Sequence, residues 1–224
     1  ATCDKEIYDY IESIGGQAVM TSSRHERASD RAAEAMLELE NRSGERIDIL
    51  VMVQGDEPMD TPQMIHEALQ PMIEDSMTNV VNLMGVIESI EEFEDPNTVK
   101  VVVGPDSNAI YFSREPIPSR KKTDDNVPML KQICIIPFQR DYLLEFNQTP
   151  QTSLEKIESV DMMRVIESGG SVKMVMTSEQ SFGVDTVEDL KKVEQRMSSD
   201  DLLDQYRWPD NNYVLPSARV SVQV

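Results

Sequence analysis

Sulfur ligands, imidazoles and basic residues are all scarce in this 224-residue sequence: two cysteines, two histidines, and 21 Lys and Arg against 41 Asp and Glu. Two cysteines, Cys3 and Cys134, cannot build the disulfide framework of a small secreted domain, and no Cys and His cluster has zinc-ligand spacing. A reducing compartment is expected, with the cytoplasm as the default. The net charge of −20 excludes a nucleic-acid surface, because a phosphate backbone needs a cationic partner. An anionic small substrate would have to be met by local cations or by a metal ion. No run approaches the about 20 apolar residues that span a bilayer. The opening ATCDKEI lacks the basic then apolar signature of a secretory leader. A soluble protein without a membrane partner is expected.

What is present is a strong alternation of helical and extended patterns, and a 39% hydrophobic content that can build a real core. The spacing predicts helices over 4–16, 29–41 (capped by Ser29), 61–73 (capped by Thr61, with Pro62 in its first turn), 153–170 and 186–197, the last with a Thr186 to Asp189 capping box. Apolar runs predict strands over 18–22, 47–53 (fully buried), 79–87, 131–138 and 172–177. Residues 99–113 read as a hairpin closed by GPDSN. The fold class that follows is α/β: three layers, a mostly parallel mixed sheet with helices on both faces. One domain is expected over 1–197. Residues 198–224 form a tail of unassigned role, whose SARVSVQV end could add a strand to an edge or fray.

Two acids stand out. The strand ILVMV runs directly into QGDEP at 54–58, and hydrophobic collapse gives no reason to place Gln54, Asp56 and Glu57 at its mouth. In open α/β sheets, ligands bind beyond the carboxyl ends of strands. Asp185, in SFGVDT, also follows a strand and precedes a helix. Taken singly, Asp56 opens a turn and Asp185 helps to cap a helix. As a pair of hard oxygen ligands with open positions, they suit Mg²⁺.

The segments HERASDR (25–31), QGDEP (54–58), DPNTVKVV (95–102), AIYFSREPIP (109–118), EKIESVDMMR (155–164) and FGVDTVEDL (182–190) resemble motifs of the 3-deoxy-manno-octulosonate cytidylyltransferases. The resemblance runs from residue 1 to about residue 197. It implies a nucleotide-diphospho-sugar transferase-like, Rossmann-like fold. The implied reaction makes CMP-sugar and pyrophosphate from CTP and an acidic 2-keto-3-deoxy sugar, with Mg²⁺ as cofactor, for lipopolysaccharide or surface polysaccharide. By the same resemblance, Asp56 and Asp185 are the catalytic, metal-holding acids. Ser29, Asp30 and Arg31 lie by the nucleotide. Gln54, Arg114, Gln132, Glu158 and Ser159 lie by the sugar, with Arg114 a candidate partner for its carboxylate. Lys100 is a candidate anion contact. The basic run SRKK at 119–122 lacks the glycines of a phosphate cradle and reads as a solvated loop. A homodimer is implied, with 116–118 a candidate contact.

The sequence also departs from that family's pattern. The family's first strand and its glycine-rich, cation-bearing loop have no counterpart before ATCDKEI, so the expectation is a truncated chain, lacking its first strands and inactive as it stands. Gln132 and Ile136 replace a usual His and Tyr, and Ala28 a usual Gly, which suggests a related acid sugar as substrate. A glycosyltransferase on a similar sheet is disfavoured, because Asp56 is followed by Glu57 and Pro58 and no Asp-x-Asp signature results. The alternative is a non-catalytic paralogue, a sugar-binding scaffold on the same fold.

Overall fold

Asp4 starts the first helix by accepting the amides of Glu6 and Ile7, two donors that the opening turn leaves without partners. The computed structural model describes residues 1–122 and 127–202, so the expected edge strand in SARVSVQV lies outside the described residues. Helix α1 (Lys5–Ser13) is followed by the segment expected as a strand over 18–22. Among the described residues that segment makes a single parallel bridge, Thr2 with Met20, rather than a strand. Helix α2 (Ala28–Ser43) stops at Gly44, whose φ of 72° is the left-handed conformation glycine adopts without penalty. Ser29 is not its cap. Arg27 occupies that position in extended backbone, and Ser29 sits buried inside the first turn.

Strand β1 (Ile49–Val53) buries Met52 but leaves Val53 exposed and the rest half-buried, so the expectation of full burial fails. Its described partner is a single strand, β6, introduced below. Helix α3 (Pro62–Glu74) follows with Thr61 at its cap, and its hydroxyl accepts the Met64 amide at 3.3 Å. Strand β2 (Val81–Val86) is buried except at its last residue. After the short α4 (Ile90–Glu94) come β3 (Lys100–Val103) and β4 (Ala109–Ser113), paired antiparallel across the expected GPDSN turn.

The run at 131–138, expected as one strand, is two: β5 (Leu130–Ile133) and β6 (Ile135–Gln139). The chain leaves one sheet at Cys134 and enters another, β5 pairing with β2 and β6 with β1. Helix α5 (Arg140–Gln148) follows. The helix expected over 153–170 is likewise two, α6 (Ser153–Glu158) and α7 (Met162–Glu167), since Ser159 takes a left-handed φ of 53° that ends the first. Strand β7 (Lys173–Met176) and helix α8 (Val187–Met197) complete the chain, the latter with the expected Thr186 to Asp189 capping box.

Among the described residues, the larger sheet has the order β4-β3-β5-β2-β7, and β1 with β6 forms a second ladder tied to it by a Val80 to Phe138 bridge. The mixed sheet holds, but its mostly parallel character is corrected. Of the described strand pairs, β2 with β7 is parallel and the rest are antiparallel: β5 returns between β2 and β3, β4 folds back on β3 as a hairpin, and β6 pairs with β1. Helices do cover both faces. Alternation along the strands sends Leu83, Ile133 and Val175 toward Met64 and Ala68 of α3. Met84, Val101, Phe112 and Met174 face the other way, into a core with Met36, Leu143 and Met163 from α2, α5 and α7.

Candidate active site

Strands β1, β2 and β7 run in the same direction, and beyond their carboxyl ends opens a cleft of about 1230 Å³. The predicted residues Gln54, Asp56, Arg114, Gln132, Ser159 and Asp185 all line it. Asp56 and Asp185 stand exposed at its mouth, and the loops that carry them are stitched together: the Val184 amide donates to the Asp56 carbonyl at 2.8 Å. Beside Asp56, Gly55 faces open space, since a side chain there would meet nothing within 4 Å.

Glu57 explains the second acid of QGDEP. One carboxylate oxygen accepts the Cys134 amide at 3.1 Å, and the other accepts the Ser181 hydroxyl. It therefore clasps the β1 exit, the β5 to β6 break and the loop before Asp185. Sequence reading missed this role, for the partners lie far away in the chain. The negative field here is strong. Burial, then the charges of Glu57 and Asp56, push the Asp60 carboxyl up to about 7. Burial and the same acids push the Cys134 thiol up as well.

This donor set fits a magnesium ion. Two hard carboxylates lie at one open mouth. Mg²⁺ holds to one or two carboxylates and takes its other ligands from water and substrate phosphates.

Other predicted residues are engaged internally. Lys100 is fully buried, and its ammonium donates to the carbonyls of Asp95, Thr98 and Arg114, so all three of its hydrogens have partners. The anion-contact reading of Lys100 is corrected accordingly. Burial lowers its pKa from the ordinary lysine value. Arg114 does face the cleft, but its guanidinium donates to the carbonyls of Glu158, Pro96 and Ser159, leaving two of its five N–H groups for a ligand. The Glu158 carboxylate turns away from the cleft. It accepts the Tyr111 and Ser113 hydroxyls and the Arg114 amide, which pins the end of α6 to β4.

Ser29, Asp30 and Arg31 are not among the residues lining the cleft. Ser29 donates its hydroxyl to Asp161 at 3.0 Å, and Arg31 donates to the Thr21 hydroxyl at 2.6 Å and to the Ser22 and His25 carbonyls. Arg27 and Asp161, which do line the cleft, belong to the same two motifs and were passed over. Arg27 forms an ion pair with buried Glu155, which also takes both arms of Arg164 at 2.6 and 2.8 Å. Lys131, also in the cleft wall, donates to Glu92 at 2.6 Å and to the Ser181 carbonyl at 3.2 Å. The basic run at 119–122 is exposed, as a solvated loop should be.

Residues 1–181 match the family model described as Cytidylyltransferase. The chain is 40% identical over 207 residues to the 3-deoxy-manno-octulosonate cytidylyltransferase of Geotalea uraniireducens, covering 88% of this chain and 80% of that protein. It is 38% identical, with the same coverage of each, to the protein of that name from Trichlorobacter lovleyi. Among solved structures, it superposes with a TM-score of 0.78 and 34% identity on CMP:2-keto-3-deoxy-manno-octonic acid synthetase complexed with CTP, covering 87% of this chain and 78% of that one. No described helix is long and apolar enough to cross a membrane.

Proposed function

The chain belongs to the cytidylyltransferase family, and from that premise we propose that its cleft transfers CMP from CTP to the anomeric hydroxyl of 3-deoxy-manno-octulosonate or a closely related acid sugar. The sugar oxygen forms a bond to the α-phosphorus, the bond between that phosphorus and the bridging oxygen breaks, and pyrophosphate leaves. The carrying observation is the hydrogen bond from Val184 to Asp56, which joins the loops of two acids remote in the sequence at one mouth.

Asp56 and Asp185 would hold Mg²⁺. When bound, that ion screens the triphosphate charge and makes the attacking hydroxyl easier to deprotonate. The chain's own part is position. Gln54 and Gln132 offer amide donors and acceptors to sugar hydroxyls from the cleft wall, and Arg114 has two N–H groups free for an anionic group. Ser159 stands beside Arg114 and offers a hydroxyl. Glu158 acts by fixing the Arg114 backbone. Ser29 reaches the cleft through Asp161, and Arg31 holds the 21–25 turn that leads to Arg27, with Asp30 between them on α2. The product would feed lipopolysaccharide or surface polysaccharide assembly in the cytoplasm. A homodimer joined around 116–118 is part of this reading.

The test is pyrophosphate release from CTP by the full-length protein, dependent on the sugar and on Mg²⁺. Asp56→Asn and Asp185→Asn should each lower the rate by about 10²-fold or more, the scale of losing a main electrostatic contact. Full activity in either variant overturns the assignment of these two acids.

A further inference from the structure

Asn82 is a polar residue set in an apolar strand. It lies fully buried in the middle of β2, between Val81 and Leu83, in a strand that is otherwise apolar. A buried amide persists only if its hydrogen-bonding groups are satisfied. Here they are. The Asn82 side-chain amide donates to the Ile133 carbonyl at 2.7 Å and to the Leu83 carbonyl at 2.9 Å. Its oxygen accepts from Nε2 of Gln132 at 2.5 Å.

These contacts have a direction. Two carbonyls can only accept, so the nitrogen of Asn82 must face them and its oxygen must face Gln132. That oxygen in turn accepts only, so Gln132 must present its nitrogen to Asn82. The amide of Gln132 cannot flip without setting two oxygens against each other. Gln132 is half-buried in the cleft wall, paired opposite Met84 in the β2 to β5 ladder, and its own backbone is fixed by donation to the Val99 carbonyl at 2.8 Å. Backbone and side chain are thus both held, and the carbonyl oxygen of the amide, with the second of its two N–H groups, is left for a ligand.

We infer that Asn82 is a positioning residue that locks Gln132 with its carbonyl oxygen toward the sugar, so this position selects a substrate bearing a hydrogen-bond donor there. The inference deepens the proposed function and rests on it for the identity of the ligand. A free glutamine would accept either a donor or an acceptor by rotating half a turn. A locked one disfavours a substituent that can only accept where it faces the oxygen, because no proton would lie between the two acceptors.

Calorimetric titration of 3-deoxy-manno-octulosonate into the intact protein tests this, with a double-mutant cycle as the discriminating measurement. Gln132→Met keeps the length of the side chain and removes the acceptor, and it should weaken sugar affinity about five- to tenfold, the range of one hydrogen bond. Asn82→Leu frees the Gln132 amide and should weaken it by a similar factor while CTP affinity stays unchanged. In the double variant, affinity should fall no further than in Gln132→Met. Losses that multiply would make Asn82 merely structural and overturn the inference. Unchanged affinity in Gln132→Met alone would also overturn it, whatever the Asn82 variant does. If Asn82→Leu fails to fold, Asn82→Thr, which keeps one polar atom for the carbonyls, takes its place in the cycle. Sugar-dependent pyrophosphate release from CTP by the unmodified protein separates the two claims. Release with affinity indifferent to Gln132 sinks this inference alone, whereas neither binding nor release sinks the proposed function with it.

Discussion

Val184 donates its amide hydrogen to the carbonyl of Asp56 over 2.8 Å, and one residue on from each lies a carboxylate with a different task. Asp185 follows Val184 and faces the mouth of the cleft. Glu57 follows Asp56 and turns inward, to the Cys134 amide and the Ser181 hydroxyl. Of the adjacent acids of QGDEP, Asp56 thus stands exposed in the cleft and Glu57 holds the loops.

Glu57→Ala removes the acceptor for both groups. The Cys134 amide and the Ser181 hydroxyl are then left partly buried without it, which should cost about 1–3 kcal/mol of stability. Since the two acid-bearing loops meet through this residue, the Mg²⁺ concentration needed for half-maximal pyrophosphate release should also rise. Thermal unfolding and a Mg²⁺ titration read the two effects. A drop in stability with an unchanged Mg²⁺ requirement would limit Glu57 to the fold.

Lys100→Met should destabilise the protein by about 3 kcal/mol, since three carbonyl oxygens lose their donor at once and unsatisfied buried acceptors are costly. The three carbonyls belong to Asp95, Thr98 and Arg114, which bracket the β3 to β4 hairpin. Lys100 does not line the cleft, so the affinity of the folded protein for CTP should be unaffected. Urea denaturation and nucleotide titration check the pair of outcomes. Weakened CTP binding in a fully folded variant would restore the anion-contact reading.

Local signals made much of this legible in the sequence. The capping residues Asp4, Thr61 and Thr186 start helices where the pattern placed them, because a side chain bonding its own next turn needs no distant partner. Breaks set by distant contacts were not legible. Nothing local marks Cys134 as the point where one strand becomes two, since the cause is pairing with β2 on one side and β1 on the other. Ser159 ends α6 in a conformation that serine seldom takes, held by the grip of Arg114 on its carbonyl. The site followed the same division. Motif position placed Asp56, Asp185 and Gln132 in one cleft, but it could not show that Glu158 bonds to β4 or that Asn82 stands behind Gln132.

Stability should depend on pH through Glu40. Its carboxylate accepts both arms of Arg140 at 2.7 and 2.8 Å and also the Ile47 amide at 2.9 Å, tying α2 to the start of α5 and to the turn before β1. The Arg140 hydrogen bonds, then the Ile47 amide, lower its pKa from 4.5 to about 2 against the opposing effect of burial. The folded state therefore holds this proton less tightly than the unfolded chain does. Its stabilising contribution is complete above pH 4.5 and is lost as pH falls toward 2, because the unfolded chain takes up the proton first. Glu40→Gln removes the titration while keeping the shape. Denaturation midpoints of the two proteins should differ most near neutral pH and converge as pH falls from 4.5 toward 2. A difference that stays constant across that window would show that Glu40 acts through packing, and that its ion pair with Arg140 contributes nothing that titrates.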